Sequence, residues 1–211
     1  MKIAIIGAGN VGGTLGKRWA AAGHDIAFGV RDPAREKYQG LVMQTAGRGR
    51  LATNAEACRD ADAVLLATPW PTTQAALAEC GALDGRVLID ATNPIGADLK
   101  LQVGHTDSGG EQVQRWAPGA RVVKAFNSTG FNVMDDPVLA GRHAAMYVAG
   151  DDPAAKAVVA DLATAIGFEA IDAGPLELAR LLEPLALLWI LGAYRMGLTR
   201  DHAFHLLRRG A

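Results

Sequence analysis

The chain has 211 residues, half of them apolar and a fifth charged, with a formal net charge of −1. This length suits one domain with a continuous core, or one domain with a small extension. The near-neutral charge gives no basic surplus for nucleic acid or an anionic membrane, and no apolar run reaches the roughly 20 residues of a membrane span, so we expect neither partner. Cys58 and Cys80 form no C-x-x-C motif, and a reduced, cytoplasmic protein is the expectation.

The first apolar run, residues 2–6, breaks into a glycine-rich turn and then into a segment of helical character, residues 14–22. The order strand, G-x-G-x-x-G, helix is typical of a dinucleotide-binding fold. Gly7 permits the tight turn, Gly9 lets the backbone approach the phosphates, and Gly12 lets helix and strand pack closely. The helix N-terminus adds unpaired amide groups that attract the phosphates. The predicted pyrophosphate site consists of Gly7, Ala8, Gly9, Asn10, Val11 and Gly12.

A second strand is predicted over residues 24–29, and the residues that follow it decide the cofactor. NAD-preferring sites usually place Asp or Glu here to bond the ribose 2′-hydroxyl. This chain has Arg31 instead, with Arg35 one helical turn beyond it. Two guanidinium groups can clamp a 2′-phosphate, which favours NADP(H). Asp32 could be a ribose acceptor, but we expect it to cap a helix that starts at Pro33.

Three further strands are predicted over residues 63–67, 86–90 and 121–125, whereas residues 47–50 are predicted to form a loop. The first of these strands is continuously apolar, as expected of a central parallel strand covered on both faces. Because the carboxyl ends of strands in a doubly wound sheet face the ligand crevice, we expect the loops that follow them to line one site. The candidate cofactor contacts in these loops are Thr68, Pro69, Trp70, Asn93, Ala125 and Asn127. The candidate substrate contacts are Trp70, Ser108, Phe126, Asn127 and Gly130.

Several of these candidates have a structural alternative. Trp70 could pack on a neighbouring loop instead of walling the ligand site. Asn93 precedes a proline and could be a turn residue. Ser108 and Glu111 have the spacing of a capping box, so the serine could cap a helix, and the N-terminus of that helix is also a second candidate anion site.

The last part of the chain predicts two strands, residues 145–149 and 168–171, with a helix from Pro153 to Ile166 between them. An almost wholly apolar segment, residues 176–191, then predicts a buried helix. A chain of this size has little surface with which to cover such a helix, which favours a homodimer.

His202 and His205 are placed on a predicted final helix, and because no third and fourth ligand lie near them in sequence, they predict no metal site.

The predicted fold class is α/β, a Rossmann doubly wound parallel sheet with a small C-terminal helical part. Residues 1–150 would form the NADP-binding domain. Residues 151–211 would form a small extension that contributes to the dimer and the acceptor site without being a separate domain.

The sequence contains no Ser-His-Asp pattern, no Tyr-x-x-x-Lys motif and no metal-ligand spacing. Hydride transfer between two stacked rings needs alignment and exclusion of water more than it needs acid–base side chains. The absence of these motifs therefore fits a hydride-transferring oxidoreductase, and we predict no catalytic side chain.

The chain resembles the coenzyme F420-dependent NADP oxidoreductase family, also called NADPH-dependent deazaflavin reductases, over nearly its whole length. Beside the glycine turn, the motifs that carry the resemblance are Thr68–Trp70, Lys124–Asn127, Gly150–Asp152, Asp172–Glu177 and Ala179–Leu185. The resemblance implies a Rossmann domain, usually in a dimer, that transfers hydride between NADP(H) and F420, with a C-terminal part that helps to cover the deazaflavin. It also implies that Ala8 to Val11, Arg31 and Arg35 hold NADP. Val30 stands where the family often has serine, which removes one hydroxyl from the 2′-phosphate site.

Other functions stay open at this point. The acceptor could be an ordinary flavin, a ferric chelate, or an imine or carbonyl compound, and the chain is also similar to the cytosolic part of membrane ferric reductases. A dehydrogenase with a full helical substrate domain would need about 100 further residues after position 150, and a proton donor as well. A non-catalytic NADP-binding redox sensor would bind the dinucleotide without oxidising it.

Overall fold

The structure, a computed structural model, describes residues 1–209. The strands are β1 (Lys2–Ile6), β2 (Asp25–Gly29), β3 (Gly49–Ala52), β4 (Ala63–Leu66), β5 (Val87–Asp90), β6 (Arg121–Lys124), β7 (Val138–Leu139), β8 (Arg142–His143), β9 (Ala145–Gly150) and β10 (Glu169–Gly174). The helices are α1 (Asn10–Ala21), α2 (Gln39–Met43), α3 (Asn54–Arg59), α4 (Trp70–Ala78), α5 (Gly109–Trp116), α6 (Phe131–Asp135), α7 (Pro153–Ala165) and α8 (Ala179–Arg195). Two short 3₁₀ turns, Glu36–Tyr38 and Leu176–Leu178, precede α2 and α8. Gly210 and Ala211, which end the predicted extension, lie outside the described residues.

Eight of the strands form one sheet, in the order β10-β9-β6-β5-β4-β1-β2-β3. The chain first builds outward from β1 to β3 and then returns to the other side of β1 with β4, β5 and β6. Its neighbours pair in parallel, except that β9 runs antiparallel to β6. The predicted α/β doubly wound fold is confirmed, with a sheet that is mostly parallel. The strand order reverses between β1 and β4, where a sheet of this kind binds its ligand.

The central strands are covered on both faces, as their apolar sequences predict. Every residue of β4 and β5 is buried. On one face of the sheet, Trp19 of α1 packs in a core cluster with Phe28 of β2. On the other face, Leu77 of α4 belongs to a second cluster. The two cores fix β1 and β4 between the helices, so the ends of these strands are rigid supports for the loops that follow.

Two predictions at the β2 edge of the sheet are wrong. Residues 47–50 are not only a loop, because β3 begins at Gly49 and pairs in parallel with β2. No helix starts at Pro33. Instead, Asp32 Oδ1 accepts a hydrogen bond from the backbone N–H of Ala34 at 3.1 Å, which closes a local turn. A short polar side chain that bonds its own backbone competes with helix formation, and here the turn forms.

The predicted extension continues the main sheet, because β10 pairs with β9.

The predicted final helix with His202 and His205 is wrong, since α8 ends at Arg195 and residues 201–208 have no regular structure. The ring of His202 instead stacks on Trp189 of α8, with 4.9 Å between the ring centroids. The indole N–H of Trp189 donates to the carbonyl oxygen of His202 at 2.7 Å. Packing on α8 therefore holds this segment without helical hydrogen bonds.

Candidate dinucleotide site

A cavity of about 530 Å³ opens at the carboxyl ends of β1, β2 and β4. Seven of the predicted cofactor contacts line it: Gly7, Ala8, Gly9, Arg31, Arg35, Thr68 and Pro69. The other predicted cofactor contacts lie outside this lining: Asn10, Val11, Gly12, Trp70, Asn93, Ala125 and Asn127. The structure thus brings together the glycine turn, the arginines and the loop after β4.

Of the three glycines in the turn, only Gly9 has open space beside it. A Cβ on Gly7 would lie 2.5 Å from the carbonyl oxygen of Ala67, and Gly7 has φ +103°. A Cβ on Gly12 would lie 2.2 Å from the carbonyl oxygen of Gly7. A Cβ on Gly9, which lines the cavity, would meet no atom within 4 Å. Gly7 and Gly12 are therefore needed for packing, whereas the space beside Gly9 is free for a phosphate.

The N-terminus of α1 is built to receive an anion. Its N-cap, Gly9, offers no side chain, and its first turn contains no acidic residue. Within residues 1–209 no side chain caps this helix, so its first N–H groups are available to a pyrophosphate, and the helix dipole favours negative charge there.

Three cationic side chains lie along the cavity beyond the glycine turn. Arg31 and Arg35 are exposed there, as an NADP site requires, and Lys37 on the 3₁₀ turn joins them. Lys37 was not predicted from the sequence, although its position two residues after Arg35 could have indicated it. Val30, at the position of the family serine, is buried and also lines the cavity, and its side chain offers no hydroxyl to a phosphate.

The opposite wall of the cavity is formed by α4 and the start of α3. Asn54 of α3 donates a hydrogen bond from Nδ2 to Glu79 Oε2, at 2.8 Å, just after α4 ends. Neither residue was predicted, because they belong to different helices that only the folded sheet brings together.

The loops after β5 and β6 are joined by a pair of asparagines. Asn93 donates from Nδ2 to the carbonyl oxygen of Asn127 at 2.9 Å, and Asn127 Nδ2 donates to Asn93 Oδ1 at 3.2 Å. Asn127 Nδ2 also donates to the carbonyl oxygen of Leu182 in α8, at 3.0 Å. Asn127 Oδ1 and Thr129 Oγ1 are buried and have no hydrogen-bond partner among the described residues. Unmet hydrogen-bonding capacity in a buried loop is what a polar ligand group would satisfy.

Three predicted contacts have a packing role in the structure. The ring of Trp70 is partly buried and packs on Trp116 of α5, with 5.4 Å between the ring centroids. Gly130 packs against Trp189 of α8, which a Cβ on Gly130 would approach to 2.4 Å. Ala125 is buried at the end of β6.

Phe126 is the clearest correction among the predicted substrate contacts. Its side chain is only 1% exposed and packs in the core, with ring centroids 5.5 Å from Trp19 and 6.3 Å from Phe168. The backbone has φ +56° at this residue. Aromatic packing in the core therefore decides where this side chain points, and the ring is withdrawn from solvent.

Ser108 is the N-cap of α5. Its hydroxyl accepts a hydrogen bond from the backbone N–H of Glu111 at 3.1 Å and donates to Glu111 Oε2 at 2.7 Å. The predicted second anion site at this helix already contains an anion of the chain itself, because Glu183 of α8 accepts from the N–H groups of Gly109 and Gly110 at 2.9 and 3.0 Å. A free ligand would have to displace a buried carboxylate.

The same carboxylate belongs to a buried ionic cluster that the sequence did not reveal. Lys124 Nζ lies 2.9 Å from Asp90 Oδ2 and 2.8 Å from Glu183 Oε1, and all three side chains are at most 1% exposed. Burial alone would lower the pKa of Lys124, but the two carboxylates outweigh it and hold the pKa above its ordinary value. The ammonium therefore stays charged and ties α8 to β5 and β6.

Within residues 1–209, no group of three His, Cys, Asp or Glu side chains is placed to hold a metal ion. In the same part of the chain, the longest apolar helices fall short of what a membrane crossing requires.

Comparison with known proteins identifies the family of this site. The family model described as NADP oxidoreductase coenzyme F420-dependent matches residues 2–94. The F420-dependent NADP reductase of Methanothermobacter thermautotrophicus is 35% identical over 208 residues, covering 90% of this chain and 88% of that relative. The chain belongs to the F420-dependent NADP oxidoreductase family. The predicted family and the predicted class of enzyme, an NADP-dependent oxidoreductase, are confirmed.

Solved structures agree with this membership of the F420-dependent NADP oxidoreductase family. A crystal structure from Arthrobacter sp. FB24, described as a candidate F420-dependent NADP-reductase, is 36% identical with a TM-score of 0.90, covering 99% of this chain and 100% of that one. An imine reductase from Myxococcus stipitatus, in complex with NADP⁺, has a TM-score of 0.70 but only 17% identity, covering 94% of this chain and 64% of that one. The second likeness supports the fold alone.

Proposed function

We propose that this chain transfers hydride between NADP(H) and the deazaflavin F420 or a flavin-type acceptor. The observation that carries the proposal is the cavity at the switch point, which is lined by the glycine turn before an uncapped helix N-terminus and by three cations. A dinucleotide with a 2′-phosphate has the anionic groups that this arrangement accommodates. The F420-dependent NADP reductases among its relatives support the choice of the second ring.

Each part of the site has a proposed task. The pyrophosphate lies against the turn from Gly7 to Gly12, and Arg31 and Arg35 hold the 2′-phosphate. Thr68, Pro69, Asn93, Ala125 and Asn127 frame the nicotinamide half. Trp70, Gly130 and Asn127 border the acceptor, and Ser108 contributes by fixing α5 next to Trp70.

When both are bound, the nicotinamide supplies a hydride and the acceptor ring takes it up at the facing atom. The chain binds the two rings, aligns them and excludes water. Asn127 is the residue best placed for orientation, because its amide nitrogen is fixed by Asn93 and by α8, leaving Oδ1 free to accept a hydrogen bond. No side chain has to donate or accept a proton. A conservative crevice variant that abolished turnover while still binding NADPH would contradict this part of the proposal.

We further propose a homodimer in the cytoplasm. Two leucines on the outer face of α8, Leu181 and Leu188, are 64% and 50% exposed, and a second copy would cover them. Both cysteines are buried free thiols, as is typical of proteins in a reducing compartment.

An acceptor panel tests the proposed function. NADPH oxidation is measured under anaerobic conditions with F420, FMN, FAD and a ferric chelate, and each is repeated with NADH. We expect the highest kcat/KM with NADPH and F420 or a flavin. Preference for the ferric chelate, or equal kcat/KM with NADH, would contradict the proposal, and NADPH binding without oxidation would indicate a redox sensor instead.

A further inference from the structure

Part of the cavity lies away from the residues proposed to bind the phosphates of NADP(H), and its lining includes polar side chains. If the pyrophosphate lies at the glycine turn and the 2′-phosphate at Arg31 and Arg35, the adenosine base has to occupy the remaining space between β2 and α4. The lining of the cavity includes two small apolar residues of α4, Ala75 and Ala76, against which a purine ring can pack. Beyond them the lining becomes polar, at Asn54 and Glu79.

Asn54 is held rigidly at this end. It is only 8% exposed, and a Cβ on Gly29 would come within 2.6 Å of its Oδ1, so the amide fits closely beneath the end of β2. Its Nδ2 group donates to Glu79 Oε2 at 2.8 Å. This contact fixes one carboxylate oxygen and leaves Glu79 Oε1 without a hydrogen-bond donor among the described residues.

A carboxylate can only accept hydrogen bonds, so it favours ligand groups that donate. The edge of adenine carries such a donor, the 6-amino group. A purine with a carbonyl at the same position would place an acceptor against the carboxylate, and a site built for one donor rejects an analogue that lacks it.

We propose that Glu79, positioned by Asn54, recognises the 6-amino group of the adenine base and so selects adenine dinucleotides. This inference rests on the proposed NADP(H) site and adds a determinant of base specificity to it.

The test compares NADPH with its hypoxanthine analogue, in which a carbonyl replaces the 6-amino group. Dissociation constants of both are measured for the wild-type protein and for Glu79→Gln. We expect the wild-type protein to bind NADPH about tenfold more tightly than the analogue, as one charged hydrogen bond allows. In the variant, Asn54 should hold the new carbonyl oxygen and leave the amide NH₂ facing the base, so the preference should vanish or reverse.

Asp161→Asn is the matched control, because it removes an exposed carboxylate from α7, away from the cavity. It should retain the wild-type preference. Thermal unfolding of each variant checks that the fold is intact, and Glu79→Ala, which should also lose the preference, replaces any Glu79→Gln protein that does not fold.

A wild-type protein that binds both dinucleotides equally, or a Glu79→Gln variant that keeps the wild-type ratio, would overturn the role of Glu79 while leaving the NADP(H) site in place. Failure of the wild-type protein to bind NADPH at all would overturn the proposed function as well.

Discussion

At the scale of residues, we propose that three cations decide which dinucleotide this chain binds. The cavity places Arg31, Arg35 and Lys37 along one wall, and a 2′-phosphate distinguishes NADPH from NADH. We expect Arg31→Ala and Arg35→Ala each to raise the dissociation constant for NADPH by about 10- to 100-fold, since each removes a charge-assisted hydrogen bond. Their effect on NADH binding should be less than about threefold. Titration of each variant with both dinucleotides measures the two effects separately.

Arg142→Ala is the control for the arginine variants, because Arg142 is exposed on β8 and does not line this cavity. It should bind NADPH like the wild-type protein. Equal losses for NADPH and NADH in Arg31→Ala would show that the arginine does not contact the 2′-phosphate.

The buried ionic cluster around Lys124 should contribute to the stability of the fold. Lys124→Met would leave two buried carboxylates, Asp90 and Glu183, without their cation. We expect the free energy of unfolding to fall by about 3–5 kcal/mol, measured by denaturant titration near neutral pH. Lys100→Met, at a side chain that is 80% exposed, should change it by less than about 0.5 kcal/mol. Similar values for the two variants would contradict a structural role for the cluster.

At this scale the sequence predicts residues of the cavity lining that belong to one local motif. The glycine turn and Arg31 could be predicted because a known fingerprint fixes their spacing. The partnership of Lys124 with Glu183 could not, because α8 reaches β6 only after the sheet has formed. The same reason hides Asn54 and Glu79, which belong to two different helices.

At the scale of elements, strongly patterned segments were predicted well. The apolar run that forms β4 is fully buried, as a central parallel strand should be. The failures lie where backbone pairing or a local side-chain bond decides the structure. β3 is a short edge strand of mixed composition that forms by pairing with β2, and Asp32 closes a turn in place of the expected helix.

The ionic contact between α5 and α8 should make the stability of the fold depend on pH. Two hydrogen bonds from Arg180 lower the pKa of Glu111 below its ordinary 4.5, and Ser108 contributes as well. A carboxylate with a lowered pKa in the folded state stabilises the fold above its ordinary pKa, and the contribution is lost as the pH falls through the lowered value. We therefore expect Glu111→Gln to be less stable than the wild-type protein at pH 7, with a difference that shrinks towards pH 3.

Denaturant titrations across this pH range measure the effect. Glu36→Gln, an exposed carboxylate on the 3₁₀ turn, is the control and should follow the wild-type curve. A difference between Glu111→Gln and the wild-type protein that stays constant from pH 7 to pH 3 would show that the Glu111 charge does not hold α5 to α8.

At the scale of the whole molecule, the sheet carries the proposed dinucleotide site, and α8 packs against α5 and β6. Glu183 and Arg180 fix the inner face of α8 to α5, whereas Leu181 and Leu188 project from its outer face. If that outer face is the dimer interface, the double variant Leu181→Asp, Leu188→Asp should be a monomer in light scattering after size-exclusion chromatography. Met43→Asp, at a side chain 78% exposed on α2, should keep the mass of the wild-type assembly.

A wild-type protein that is already monomeric at micromolar concentration would contradict the proposed dimer. A double variant that retains the dimer mass would place the interface elsewhere on the molecule.

The central claim is direct hydride transfer from NADPH to an acceptor ring, F420 or a flavin, that is held in the crevice of this molecule. The most direct test uses NADPH deuterated at both C4 positions, with F420 as the acceptor and anaerobic buffer in ordinary water. The atom that accepts hydride in a deazaflavin is carbon, so a transferred deuterium does not exchange with solvent. Direct transfer predicts that reduced F420 carries one deuterium, as measured by mass spectrometry. Reduced F420 without deuterium, or reduction of neither F420 nor a flavin, would contradict direct hydride transfer.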